Sequence, residues 1–204
     1  MTGNEQLIFT DQYISLACLG DSHPIMHVGE TVLMEKLAEL VTKNGGHILE
    51  IGFGMHISAD FVQSNPQVKS HTIIEVHPEI HKRGLEWAKD KPNVEIILGD
   101  WINVLPLKDK LFDGVLYDPY NDDNNLKFLD YVKGNCKKET IVAFFDYHVV
   151  DSRLNGLQVT IPEDDLKSLP YGNFPEFKGN KYELKYTIFD GVNFHKGIKN
   201  SNLI

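Results

Sequence analysis

The chain has 204 residues, of which 42% are hydrophobic and 24% charged, as is ordinary for one soluble α/β domain with its own core. Its formal net charge of −9 argues against broad contact with nucleic-acid phosphates, because no basic stripe is present. No apolar run approaches membrane-spanning length, the polar, acidic N-terminus is unlike a signal peptide, and two cysteines are too few for a disulfide framework. We therefore expect a cytoplasmic protein without nucleic-acid or membrane partners.

Strand and helix patterns alternate along the chain. A helix is predicted within residues 20–40, from an apolar stripe at helical spacing. Nearly continuous apolar runs, typical of strands buried on both faces of a parallel sheet, lie at 47–51, 71–76, 94–100, 112–118 and 140–146. Further helical patterns lie at 57–64, 78–90 and 124–133. At 181–197 alternating apolar residues around an Asp-Gly turn signal predict an antiparallel hairpin at the sheet edge. The order predicts a doubly wound, Rossmann-like α/β fold over residues 1–204 as a single domain.

The stretch GGHILEIGFGMHIS ends a strand in an acid and then sets two glycines around one aromatic residue. Gly52 and Gly54 follow the first buried strand, where ligands bind in open α/β sheets. Glycine allows positive φ and a close approach of the backbone to a ligand. The motif is not GxGxxG, because Ile57 stands at the third glycine position and bulky Met55 precedes the helix. A ligand without phosphates is therefore favoured over a dinucleotide.

Acids also end or follow the next two strands. S-adenosylmethionine suits such a crevice, since it offers an ammonium, a carboxylate, a ribose diol and an adenine. Glu75 is placed to accept both ribose hydroxyls, and Glu50 to orient the methionyl ammonium, directly or through water. Asp100 and Trp101 are placed to hold the adenine amine and to cover its ring, although Asp100 alone is as typical of a helix cap and Trp101 alone of a core residue.

The stretch FDGVLYDPY places Asp118 at the tip of the fourth strand, with Tyr117 and Tyr120 alongside, and Pro119 turns the chain away. Methyl transfer from a sulfonium is an in-line displacement, so the enzyme must align the nucleophile's lone pair with the methyl group. A carboxylate suits an amine or guanidine nucleophile, because it holds the N–H groups and can take a proton. The alternative for Asp118 is a turn residue that caps the loop.

The runs IMHVGETVLMEKLAEL, GGHILEIGFGM, HTIIEVHPEIHKRGLEWA, LGDW and FDGVLYDPY occur in this order between about residue 19 and Tyr120. They resemble guanidinoacetate N-methyltransferase and the related fungal arginine δ-N-methyltransferases. The resemblance implies a class I methyltransferase fold, with a mostly parallel seven-stranded sheet and the antiparallel C-terminal hairpin. It also implies S-adenosylmethionine as cofactor and a small guanidino compound, such as guanidinoacetate or arginine, as substrate.

The same resemblance assigns roles to residues. Glu30 and Asp118 match the family's substrate acids and would clamp a guanidinium, which is a planar fork of donors. By itself Glu30 is also explained as an acid at a helix start. The implied cofactor-binding residues are Met26, Glu50, Gly52, Gly54, Met55, Glu75, Val76, Gly99, Asp100, Trp101 and Asp118. The implied substrate-binding residues are Tyr13, Glu30, Asp118, Tyr120, Asp146 and His148. Residues 1–20 resemble the family's mobile N-terminal lid, and a disordered terminus is the alternative.

The chain departs from the family after the fifth strand, where it reads FFDYHVVDSR instead of small polar residues. Asp146 adds negative charge where a substrate carboxylate would be received, and Asp122 and Asp123 add more near Asp118. The substrate is therefore expected to carry an ammonium as well, as free arginine does, or to be another guanidine or amine. Arg153 is either a partner for a substrate carboxylate or an ordinary surface residue.

Three other functions compete with this hypothesis. Methylation of another amine, an imidazole or a peptide side chain is the main alternative. A binding module that has lost its chemistry is disfavoured by the presence of both Glu30 and Asp118, and a nicotinamide-dependent oxidoreductase by the missing phosphate-binding glycines. No metal is expected, because His77 and His81 have the spacing of two ligands but no evident third. The oligomeric state is left open, with a homodimer as one option.

Overall fold

The computed structural model describes residues 3–18, 24–120, 125–145, 151–161 and 181–196. The strands are β1 (Leu7–Phe9), β2 (Tyr13–Leu16), β3 (Pro24–His27), β4 (Gly46–Ile51), β5 (Val68–Glu75), β6 (Val94–Leu98), β7 (Phe112–Tyr117), β8 (Cys136–Phe144), β9 (Asn155–Thr160), β10 (Lys181–Phe189) and β11 (Phe194–His195). The helices are α1 (Thr31–Thr42), α2 (Ile57–Ser64), α3 (Pro78–Trp87), α4 (Trp101–Val104) and α5 (Asn125–Val132). Short 3-10 turns, Val28–Glu30 and Lys133–Asn135, precede α1 and β8.

A large mixed sheet carries the fold. Its strands follow the order β11-β10-β8-β7-β4-β5-β6, and β9 pairs with β10. The strands from β4 to β8 pair in parallel, whereas β10 is antiparallel to β8, β9 and β11. Apolar side chains from both faces of β4 enter separate core clusters, which is why the parallel strands read as continuous apolar runs. The Rossmann-like fold with a C-terminal hairpin is confirmed.

Among the described residues the sheet has eight strands rather than the expected seven, because β9 is added to it. The sequence of β9 is NGLQVT, and its burial alternates between exposed and less exposed positions. It has no continuous apolar run, since only one of its faces packs on the core. The pattern used for the parallel strands therefore does not detect it.

The N-terminal region also differs from the prediction. The helix that we predict within residues 20–40 begins at Thr31 and continues to Thr42. Upstream of it, β1, β2 and β3 form a separate antiparallel sheet that the sequence patterns do not predict. These strands have three or four residues each, and their stability depends on pairing and on packing against the rest of the fold rather than on local propensity.

Helix α1 lies directly on β7. A Cβ atom added to Gly114 in β7 would lie 1.8 Å from the carbonyl oxygen of Val41 in α1, so no side chain fits between the two backbones. Leu33 and Leu37 of α1 are fully buried in the same region. This contact fixes the helix that follows Glu30 against the strand that precedes Asp118.

Both cysteines are free thiols. Cys18 is exposed, whereas Cys136 is buried, and burial raises the pKa of the Cys136 thiol to about 12. Within the described ranges, no helix has the length and apolar character needed to cross a membrane.

Candidate active site

The order in which strands are added to the sheet reverses between β4 and β7, which are parallel neighbours. From β4 the chain proceeds outward to β5 and β6, while β7 and β8 lie on the other side of β4. The loop that follows β4 and the loop that follows β7 meet at this point, where the backbone N–H of Asp118 donates to the carbonyl of Ile51 at 3.0 Å. Ligands of doubly wound sheets bind at such a switch point, beyond the carboxyl ends of the strands.

The two glycines after β4 make room for the protein's own chain. Gly52 has φ +89° and Gly54 has φ +50°. A Cβ atom on Gly52 would lie 2.6 Å from the carbonyl oxygen of Asp118, and one on Gly54 would lie 2.2 Å from Sδ of Met26. The nearest atoms belong to the walls of the crevice, which is one reason for glycine at both positions. The close approach of a ligand that we expected there stays a prediction.

We predict that Gly52→Ala weakens S-adenosylhomocysteine binding at least about tenfold, because the new Cβ displaces the Asp118 carbonyl and with it the crevice wall. Gly191→Ala is the matched control. It also sits at positive φ, +102°, but its Cβ would meet nothing closer than 3.8 Å. Both variants should lose about 1 kcal/mol or more of unfolding free energy from backbone strain. Calorimetry and denaturant unfolding measure both effects, and equal affinities in the two variants would contradict the prediction.

The carboxylate of Glu75 ties the glycine loop to the end of β5. Its Oε2 accepts from the backbone N–H of Phe53 at 2.9 Å, and its Oε1 from that of His77 at 2.7 Å. Burial raises the pKa of the Glu75 carboxyl, while these backbone hydrogen bonds act in the opposite direction. Each carboxylate oxygen can accept more than one hydrogen bond, so a contact to ribose hydroxyls is compatible with this geometry. That contact stays a prediction.

Glu50 lies beneath the first turn of α2. It is fully buried, and its Oε1 accepts from the Ser58 hydroxyl at 2.5 Å. Its Oε2 is 2.8 Å from Nε2 of His71, which is ion-pair distance but not hydrogen-bond alignment. The carboxylate braces the start of α2 against β4 and β5. Its contact with a methionyl ammonium, directly or through water, stays a prediction.

Asp100 is a helix cap and Trp101 is a core residue, as in the alternatives given for them from the sequence. Asp100 caps α4, since its Oδ1 accepts from the backbone N–H of Ile102 at 3.0 Å. The Trp101 ring is only 4% exposed and packs edge-on against Phe128 and Tyr131, with ring centroids 5.2 and 5.3 Å away. The ring that we expected to cover an adenine is therefore enclosed in an aromatic cluster of the core. The contact of Asp100 with an adenine amine stays a prediction.

The N-terminal sheet docks on the glycine loop. The backbone N–H of Met55 donates to Sδ of Met26 in β3 at 3.0 Å, so these two predicted cofactor residues are in contact. The side chains of Leu7 and Ile14 belong to the same buried cluster as Phe53, the residue between the two glycines. The sheet thus forms one wall of the crevice.

The acid Glu30 closes a capping box just before α1. Its Oε1 accepts from the backbone N–H of His27 at 3.0 Å, and His27 Nδ1 accepts from Gly29 at 2.9 Å. Burial lowers the pKa of the His27 imidazole, which suits its role as a neutral acceptor. The predicted substrate residue Tyr13 stacks on His27 with nearly parallel rings, 6.4 Å apart. His27 was missed as a site residue, although its spacing from Glu30 is that of a capping box.

Asp118 and Tyr120 are both half-buried in the loop after β7. Burial raises the pKa of the Tyr120 hydroxyl, and the nearby Cys18 acts in the same direction. The other predicted cofactor residues, Val76 and Gly99, are also half-buried, after β5 and β6.

Four positions named in the sequence analysis, Asp146, His148, Asp122 and Asp123, lie outside the described residues. Arg153 makes a local bidentate pair with Asp151, at 2.9 Å for both contacts. This hydrogen-bonded pairing raises the pKa of Arg153 and agrees with the alternative of an ordinary surface residue.

Comparison with known proteins gives relatives that agree with this fold. The family model described as guanidinoacetate N-methyltransferase matches residues 6–150. Protein arginine N-methyltransferase 2 of Yarrowia lipolytica is 28% identical over 200 residues, covering 92% of this chain and 41% of the relative. Its namesake from Candida glabrata is 30% identical over 222 residues, covering 94% of this chain and 52% of the relative. The chain therefore spans about half the length, or less, of these curated relatives.

Solved structures show the same fold at low sequence identity. Spermidine synthase from Thermotoga maritima superposes with a TM-score of 0.56 at 15% identity, covering 92% of this chain and 74% of that one. The O-methyltransferase TomG from Streptomyces achromogenes superposes with a TM-score of 0.53 at 15% identity, covering 80% of this chain and 81% of that one. With its family model matched over most of its length, the chain belongs to the guanidinoacetate N-methyltransferase family, whose enzymes take their methyl group from S-adenosylmethionine.

Proposed function

We propose that this protein transfers a methyl group from S-adenosylmethionine to a nitrogen of a guanidino compound. The observation that carries the proposal is that one glycine loop contacts both segments bearing the candidate acids. Gly52 packs on the backbone of Asp118, and Gly54 packs on Met26, four residues before Glu30. The loop expected to hold the methyl donor thus sets the positions of both acids.

The two acids would act on the substrate in complementary ways. A guanidinium is planar, remains charged at all physiological pH values and is a poor nucleophile while its nitrogens are fully conjugated. Two carboxylates that accept its N–H groups would fix its plane, and one of them would take the proton lost on methylation. The bound cofactor would supply the electrophilic methyl group on its sulfonium. Alignment of the nitrogen with that methyl group is worth several kcal/mol of the barrier.

The finer identity of the substrate has two candidates. A small guanidine, such as guanidinoacetate or free arginine, agrees with the matched family model. A protein arginine is the second candidate, because the curated relatives bear the name protein arginine N-methyltransferase 2. The net charge of −9 favours cationic substrates of either kind.

Mass spectrometry of a substrate panel tests the proposal. The protein is incubated with the methyl donor and guanidinoacetate, arginine, agmatine, an arginine-containing basic peptide or simple amines. We expect a methyl group on at least one guanidine and none on the simple amines. Methylation of amines alone would overturn the guanidino assignment. Calorimetry with S-adenosylhomocysteine and with NAD tests the cofactor separately, and we expect binding only of the first.

A further inference from the structure

The extreme N-terminal segment lies against the chain just after the predicted ribose acid. Gly3 is buried and has φ +82°. A Cβ atom on it would lie 2.7 Å from the carbonyl oxygen of Val76, so only glycine fits at this contact. Val76 is one of the predicted cofactor residues. Residues 3–5, here called the strap, therefore cover the chain at the carboxyl end of β5.

His77 holds the strap by a hydrogen bond whose direction can be assigned. Its Nδ1 is 3.3 Å from the backbone nitrogen of Glu79, which can only donate, so Nδ1 is an acceptor without a proton. In the neutral imidazole the proton is then on Nε2, which lies 2.8 Å from the carbonyl oxygen of Glu5. His77 is only 4% exposed, so little water competes for this bond.

The same residue is joined to the cofactor side of the crevice. The backbone N–H of His77 donates to Oε1 of Glu75, and the other oxygen of Glu75 accepts from Phe53 in the glycine loop. Strap, His77, Glu75 and glycine loop thus form one continuous set of hydrogen bonds. A cation–π contact also connects β1 to α3, since the guanidinium of Arg83 in α3 lies 3.8 Å from the ring centroid of Phe9 in β1.

We propose that His77 is a positioning residue, whose Nε2–H latches the N-terminal strap over the end of β5 and so slows the loss of the bound nucleoside. The inference rests on the proposed function, since it assumes that the nucleoside contacts Glu75. An ordinary helix cap would need only Nδ1. The bond from Nε2 to Glu5 has no role in capping α3, and it connects segments 72 positions apart in the chain.

Two substitutions separate the latch from the cap. His77→Asn keeps a strong cap, because its Oδ1 can accept from Glu79, but its amide is too short to reach Glu5. His77→Gln is the conservative variant, since its longer amide can donate to the Glu5 carbonyl. We expect His77→Asn to leave the unfolding midpoint unchanged, to increase amide exchange of residues 5–9, and to speed S-adenosylhomocysteine dissociation about fivefold, as for one lost hydrogen bond. His77→Gln should bring both the exchange rate and the dissociation rate back toward those of the wild type.

Gly3→Ala tests the strap from its other side, because the added Cβ collides with Val76 while His77 is untouched. We expect the same faster exchange and faster dissociation. Unchanged amide exchange in both His77→Asn and Gly3→Ala would overturn the latch. Faster exchange with unchanged dissociation would overturn its role in nucleoside retention. If the wild-type protein does not bind S-adenosylhomocysteine at all, the proposed function fails, whereas the exchange measurement still decides whether His77 holds the strap.

Discussion

Replacing Asp118 by Asn should lower kcat at least about tenfold, and by as much as about 10²–10⁴-fold if Asp118 also takes the substrate proton. The side chain keeps its size but loses its charge and its basicity. The backbone N–H of Asp118 still donates to Ile51, so the loop should keep its position. S-adenosylhomocysteine affinity should therefore stay within about twofold, because the variant removes an interaction of the transition state.

Steady-state kinetics on the best substrate of the panel, together with calorimetry, measures this effect. Asp90→Asn is a suitable control, because Asp90 is exposed and forms an ion pair with its neighbour Lys91 at 2.9 Å. Its turnover should equal that of the wild type. Unchanged turnover in Asp118→Asn would remove this residue from the mechanism and leave it as a turn residue of the loop.

Replacing Glu30 by Gln should raise KM for the guanidine about 10- to 100-fold and lower kcat as well. A hydrogen bond to a charged group contributes about 1.5–3 kcal/mol, and the Gln amide presents the guanidinium with a neutral oxygen. The amide oxygen can still accept from the backbone N–H of His27, so the capping box before α1 persists. The variant therefore removes the charge without removing the cap.

Glu30→Ala separates the two roles of this residue. This variant removes the cap as well as the charge, and should lose about 1 kcal/mol of unfolding free energy. Glu30→Gln, which keeps the cap, should not show this loss. Both variants should lose activity to a similar extent. If Glu30→Gln were fully active and only Glu30→Ala were impaired, Glu30 would be a capping residue and no more.

A double variant tests whether the two acids hold one guanidinium. Glu30→Gln and Asp118→Asn should then be non-additive in the free energy of activation, because the second substitution weakens an arrangement that the first has already disturbed. Strict additivity would indicate that the acids act on different groups.

The sequence alone determines the central sheet. Strands buried on both faces read as apolar runs, and the turn signal at Asp190–Gly191 identifies the hairpin, in which Asp190 accepts from Val192 and Asn193 at 2.7 Å each. The bounds predicted for α2, residues 57–64, are those of the structure. These features follow from local periodicity, so a single sequence is enough to find them.

The tertiary structure decides which way each acid points and what surrounds it. Glu50 pairs with Ile73 and so faces the same side of the sheet as Glu75, but it lies under α2, where Ser58 and His71 from other elements contact it. Glu75 ends the neighbouring strand and instead holds the glycine loop. Local pattern cannot distinguish the two acids, because each is the second-last residue of its predicted apolar run.

The N-terminal sheet is also decided by tertiary contacts rather than by local pattern. Its short strands have weak local signals, and they are held by contacts such as Met26 with Met55 and Glu5 with His77, which join distant parts of the chain. The sequence by itself determined the parallel strands of the central sheet and the C-terminal hairpin. Only the tertiary structure decided that the glycines make room for the chain's own backbone and sulfur, because clearance around a residue depends on segments that local sequence does not specify.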